Sequence, residues 1–360
     1  MTCSAQDIVT IYCDWNVVQY LARPEKLVSD LRASALGLRA VIAQYIDRDI
    51  WVFPRSHAHF LDINQGGPKY ESHDLAILGE FTGGWRVYED RADNFTLAIN
   101  QFPDIAFEYA HCISTTRPPP LPWSILMGTV TGAVAFAFKI AAFLYPTGKK
   151  RELIRRLADC LQSPGSSGLE IFRINKEMRT AFAVGSDFAI VYPEIRNVSH
   201  ATDPATLRNL VDECIAESSL SFLGDHEGFF RIFNRDNLSF LSPFTRDVLK
   251  LTDLADFVAL VSEKLKKETA FDSITNDQIH LTHGLQCDRF VTADKRLAEK
   301  ARFIKTWKDL PVRVFDMDGL AVDILRQVAR QAAPNAQNLP FNYVVKENGQ
   351  TVKKYIVPPL

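Results

Sequence analysis

From residue 7 the chain alternates between two spacings of apolar side chains. DIVTIYCD is a short apolar run, rich in β-branched residues and ending on Asp14, as in a strand buried on both faces of a parallel sheet. Residues 24–48 carry apolar positions at helical spacing behind Pro24 and predict a helix. DIWVFP (49–54) reads as a second short strand stopped by Pro54, and SHAHFLDI opens a second helix with Ser56 as its N-cap. The alternation returns near the end of the chain. Asp272 to Leu285 predicts a helix, RFVTA a strand, DKRLAEKARFIKTW a helix, VRVFD a strand and DGLAVDILRQVARQA a final helix.

Strands separated by helices predict an α/β fold with a parallel sheet and right-handed crossovers. Between the two alternating stretches the pattern is mostly helical, punctuated by RPPPLPW, SPGSSG (163–168) and FLSPF. The α/β signals stop before this region and resume after it. The expected organisation is therefore a discontinuous α/β domain, 1–63 and 270–335, carrying a large, mainly helical insertion at 64–269. A tail, 336–360, holds two alternating runs around Asn348-Gly349. That dipeptide predicts a hairpin, because a type I′ turn needs positive φ at both central residues.

Composition adds limits rather than a function. With 360 residues and 47% hydrophobic content the chain can bury one large core or two ordinary ones. A formal net charge of −2 gives no global reason to expect nucleic acid, so any such surface must be local. Six scattered cysteines show neither C-x-x-C pairs nor zinc spacing, and fit reduced thiols in a cytoplasmic protein. The N-terminus lacks the basic and apolar regions of a signal peptide. One segment, Ile125 to Tyr145, is mostly apolar with Lys139 its only charge, and is long enough to span a bilayer. The central Lys and the polar residues at its start favour a buried helix over membrane contact.

Chemistry points to four carboxylates. In open parallel sheets, sites form beyond the C-terminal ends of the strands. Asp14 and Asp294 fall at such ends, Asp277 on a helix leading into the second of those strands, and Asp62 on the helix after DIWVFP. Acids gathered at one sheet edge repel each other unless a cation joins them, and oxygen-only donors suit Mg²⁺ or Mn²⁺. A site of that kind can activate water for displacement at phosphorus.

These segments resemble the PIN-domain ribonuclease family, which includes toxin-type nucleases. IVTIYCDWNVVQYL is similar to the family's opening strand with Asp-x-Asn and a helix. PRSHAHFLDI is similar to its Ser-containing strand-to-helix segment, and ITNDQIHLTHGLQCDRFVTADKRLAEKA to its C-terminal signature; VRVFDMDGL matches the last strand. The resemblance covers about 1–63 and 270–330. It implies a PIN-like sheet and a metal-dependent endoribonuclease, with Asp14, Asp62, Asp277 and Asp294 holding the metal and Asn16, Ser56 and Thr292 as polar support. It also implies RNA as substrate, or single-stranded DNA, and as partners a protein inhibitor or a second copy of the chain. Asp62 departs from the family, which has Glu at that position. The rivals are a non-catalytic PIN-like scaffold that binds RNA or protein, and a membrane-associated effector using 125–145.

Other motifs read as structural. His57, His59, His280 and His283 suit helix-face contacts or partial burial, although His280 shares the Asp277 face. No nucleophile elbow or Walker A loop is present. The basic runs at Lys149–Arg156 and Lys264–Lys267 suit solvated helix faces.

Overall fold

The computed structural model describes residues 8–47, 50–89, 95–99, 104–115, 148, 151–152, 155–156, 203–217, 224–232, 241–257, 269–332 and 341–358. The apolar segment 125–145, the SPGSSG stretch and Lys264–Lys267 lie outside them. Among the described residues no helix is long and apolar enough to cross a membrane.

A four-stranded parallel sheet is built from β1 (Val9–Cys13), β2 (Trp51–Val52), β5 (Arg289–Val291) and β6 (Arg313–Phe315), in the order β2-β1-β5-β6. Every strand the pattern predicted for this sheet is present, though each is shorter than its apolar run. Register pairs Thr10 with Val52, Tyr12 with Phe290, and Phe290 with Val314. Asp288 fixes the β1–β5 register from below: its carboxylate accepts from both the backbone N–H and the hydroxyl of Thr10, each at 2.8 Å.

Helices α1 (Trp15–Ala22), α2 (Ser29–Tyr45), α3 (His57–Gly66) and α4 (Pro68–Thr82) follow the first strands. The single helix expected at 24–48 is a 3-10 turn at Pro24–Lys26 followed by α2. An antiparallel hairpin then appears where helical pattern was expected: β3 (Trp85–Glu89) pairs with β4 (Phe95–Ile99). Arg55 explains its placement. This guanidinium is fully buried and donates to Glu108 on α5 (Ile105–Thr115) at 2.5 and 3.0 Å and to Thr82 at 3.1 Å, while its backbone bridges to Arg86 of β3. A buried charge is tolerable only when paired and hydrogen-bonded, so these partners come as a set.

Helices α6 (Pro204–Glu217), α7 (His226–Ile232), α8 (Pro243–Phe257) and α9 (Thr269–Gly284) precede β5; α10 (Lys295–Lys308) and α11 (Met317–Ala332) follow β5 and β6. Side chains alternate across the sheet, as the strand period of two requires. Ile11, Cys13 and Val291 face a core closed by α1, α2, α3 and α11, with Leu75, Leu78 and Tyr109. Tyr12 and Phe290 face a second core closed by α6–α10, which includes Leu207, Val211, Val248 and Leu254. The described elements between residues 64 and 269 thus contribute to both cores of the sheet.

The C-terminal hairpin has the predicted turn. β7 (Phe341–Glu347) and β8 (Gln350–Val357) meet at Asn348 (φ 50°) and Gly349 (φ 79°). It packs on α2 and α11 through Val345, Tyr355 and Val357, and Lys353 joins Ser34 at 2.8 Å and Asp318 at 2.9 Å.

Candidate functional site at the sheet crevice

The strand order sets the location. From β1 the chain moves outward to β2 on one side, and from β5 outward to β6 on the other, so the winding direction reverses between β1 and β5. A crevice opens at the C-terminal ends of two strands where winding reverses, the usual ligand position of open α/β sheets. Asp14 ends β1 and Asp294 follows β5, so both stand at this point.

Asp14 is buried and caps α1. One carboxylate oxygen accepts from the Val17 N–H at 2.8 Å; the other accepts a short hydrogen bond from the Thr292 hydroxyl. Its backbone N–H reaches the Val291 carbonyl at 3.0 Å, locking it across the two strands. Burial pushes its carboxyl up to about 6, against the lowering effect of those two hydrogen bonds and of His280. Thr292 also ties the two strand ends together, since its hydroxyl accepts from the backbone N–H of Asp294 at 3.0 Å. Asp294 caps α10, accepting from Arg296 N at 2.7 Å and Leu297 N at 3.4 Å. Asn16 is exposed on the first turn of α1.

Asp62 is held differently. Its two oxygens accept from Asn276 Nδ2 at 2.7 Å and His280 Nε2 at 2.8 Å. Burial acts to raise this carboxyl, but the bonds and charge of His280 and the Asn276 bond outweigh it and hold it below the ordinary range. His280, fully enclosed, is pulled the opposite way. Desolvation lowers it, yet Asp62 and the fields of Asp14 and Asp277 raise it above its usual value. Asp277 sits half-buried on α9, one turn before His280.

Behind this pair runs a buried polar chain. The Tyr12 hydroxyl meets His280 Nδ1 at 2.8 Å and Ser56 Oγ at 2.5 Å. Ser56 caps α3, and its N–H donates to His59 Nδ1 at 3.0 Å. His59 must then be neutral, with Nε2–H donating to the Cys13 carbonyl at 2.8 Å. Burial, the largest cause, and the nearby His280 lower His59 to about 3.

The structure therefore brings the predicted residues into two groups: Asp14, Thr292 and Asp294 at the C-terminal ends of β1 and β5, and Asp62 with Ser56 on the polar chain, with Asp277 beside it. Sequence reasoning missed Tyr12, His59 and Asn276 as members. His280, expected in helix-face contact or partial burial, is buried and hydrogen-bonded to Asp62 and Tyr12, and its spacing three residues after Asp277 was the one available signal.

The donors are all oxygen, which suits a hard divalent cation, and a cation beside Asp14 would offset the cost of burying its charge. Among the described residues no three His, Cys, Asp or Glu side chains stand together as a ligand set. Mg²⁺ does not require one, since it is commonly held by one or two carboxylates, waters and substrate phosphate. On that criterion Asp14 and Asp294, at neighbouring strand ends, can serve as such carboxylates; Asp62 has both oxygens engaged by Asn276 and His280, as Asp14 has by Val17 and Thr292.

No family model matches the chain, and neither the curated proteins nor the solved structures include a match.

Proposed function

We propose that this chain is a metal-dependent nuclease that hydrolyses phosphodiesters, and more particularly a PIN-like endoribonuclease dependent on Mg²⁺ or Mn²⁺. The observation that carries the reading is the pair of acids, Asp14 and Asp294, tied through one threonine at the point where the sheet reverses its winding.

Asp14 and Asp294 would hold the cation, with Asp277 adding negative charge nearby. When bound, the ion supplies a more acidic water and a counter-charge for the phosphate. Thr292 fixes the Asp14 carboxylate by donating to it, and the Val17 N–H fixes the second oxygen, so the group is oriented before substrate arrives. Asp62 stays with His280 and Asn276, where it orders α3 against α9. The Asp in place of the family's Glu agrees with that role. RNA cleavage with Mn²⁺, comparing wild type with Asp14→Asn and Asp294→Asn, tests the reading. Wild-type cutting and silent variants are expected; equal cutting by all three would refute it.

A second reading, a non-catalytic PIN-like scaffold, draws on Asp62 having both oxygens engaged. Calorimetry with Mn²⁺ separates the two, since a scaffold would show no binding that Asp14→Asn removes.

A further inference from the structure

The register of β1 against β2 leaves a rung missing beside Asp14. In a parallel ladder, alternate residues turn their backbone groups to opposite neighbours. Val9 turns to β2: it pairs with Trp51, and its N–H meets the Ile50 carbonyl at 2.8 Å. Carried four residues further in that register, the Ser56 N–H would reach the Cys13 carbonyl. The ladder stops short of that point. β2 ends at Val52, Pro54 has no N–H to donate, and the Arg55 N–H goes to the Trp85 carbonyl at 3.0 Å.

The His59 imidazole stands in that gap. Its Nδ1 accepts from the Ser56 N–H at 3.0 Å, and its Nε2–H donates to the Cys13 carbonyl at 2.8 Å. The ring is buried against those of Tyr12 and His280, at centroid distances of 5.2 and 5.0 Å, which fixes its orientation. Capping α3 uses only Nδ1, from the position where Glu or Gln commonly reaches back to the cap residue. The donor at Nε2 does nothing for the helix; it serves the strand end.

The Cys13 carbonyl and the Asp14 N–H belong to one planar peptide group. His59 grips one edge of it, and the Val291 carbonyl accepts from the other edge at 3.0 Å. Resting on the nuclease reading, we infer that His59 is a positioning residue for the cation site: it clamps the peptide that carries Asp14, and so sets where the Asp14 carboxylate stands, without touching the ion. Removing its donor leaves that peptide held from β5 alone, free to tilt about the Val291 bond. Groups that orient a ligand from behind tune metal affinity nearly as much as the ligands themselves.

The test compares His59→Leu, which removes both nitrogens, with His59→Gln, whose amide oxygen can accept from Ser56 and whose NH₂ can donate to Cys13. His59→Met, a flexible side chain that fills the same space, is a second variant without a donor. On the full chain, hydrogen exchange of the Asp14 amide is followed without metal, Mn²⁺ binding by calorimetry, and RNA cleavage in the steady state. The Leu and Met variants are expected to exchange the Asp14 amide about tenfold faster and to bind Mn²⁺ about tenfold more weakly. Their kcat should fall while KM for RNA stays near that of wild type. His59→Gln is expected to restore Mn²⁺ binding to within about threefold of wild type. A purely structural role would speed exchange throughout α3 and leave the Mn²⁺ constant of the folded protein unchanged. Wild-type Mn²⁺ affinity in the donor-less variants, or equally weak binding by His59→Gln, would overturn the inference; cutting by wild type would then leave the nuclease reading standing. A wild type that neither bound Mn²⁺ nor cut RNA would remove both.

Discussion

Replacing His283 with Leu should make the protein less sensitive to acid. His283 is buried on α9, and its Nδ1 has no hydrogen-bond partner among the described residues. Burial first, and then the charge of His280 and His57, lower it from 6.5 to about 3. A histidine lowered in the folded state contributes its full share of stability above 6.5 and loses it as pH falls toward the folded value, because only the unfolded chain takes up the proton. Each pH unit in that window is worth about 1.4 kcal/mol. At pH 5, about 1.5 units below the unfolded value, the penalty is therefore about 2 kcal/mol. His283→Leu removes that penalty along with the unpaired nitrogen, while His59 titrates alike in both proteins and cancels. Urea unfolding at pH 7.5 and pH 5 provides the measurement. Wild type should lose about 2 kcal/mol more than the variant between the two. Equal losses would show that His283 is charged or solvated in the folded state, and would refute the picture of a neutral imidazole in a dry core.

Asp14→Asn should abolish cutting without lowering stability at pH 8. A carboxyl raised from 3.8 to about 6 loses its contribution as pH rises through that range, so above it the folded state carries a cost of about 3 kcal/mol that Asn avoids; a lower thermal midpoint in the variant would contradict this. His280→Leu leaves Asp62 buried without its cation and should cost about 3 kcal/mol near pH 6. The raised His280 contributes fully below 6.5 and fades as pH rises through its folded value, whereas the lowered Asp62 contributes above 3.8 and fades as pH falls. Urea unfolding should therefore show the largest loss between those limits, and a pH-independent loss would rule out the ion pair. Gly284→Ala should cost about 1–3 kcal/mol, because its Cβ would stand 2.5 Å from Phe290 Cδ2 in a full core; an unchanged urea midpoint would show that the ring can yield.

Much of the framework was legible in the residues themselves. Apolar spacing placed β1, β2, β5, β6 and the helices between them, Ser56 was readable as a cap, and Asn348-Gly349 as a turn. Each depends on a few neighbouring residues whose backbone preferences and burial period are local. The β3–β4 hairpin escaped notice because its position is decided by Arg55, Glu108 and Arg86, which meet only after folding. The site divides in the same way. Strand ends mark Asp14 and Asp294, but the grip on Asp62 depends on His280, 218 positions away, and that of Tyr12 on His280 on a separation of 268. Periodicity tells which face of a strand or helix is buried. Which polar groups satisfy one another there is settled by the packing of whole elements, since a buried donor or acceptor takes whatever partner the fold brings within hydrogen-bonding reach.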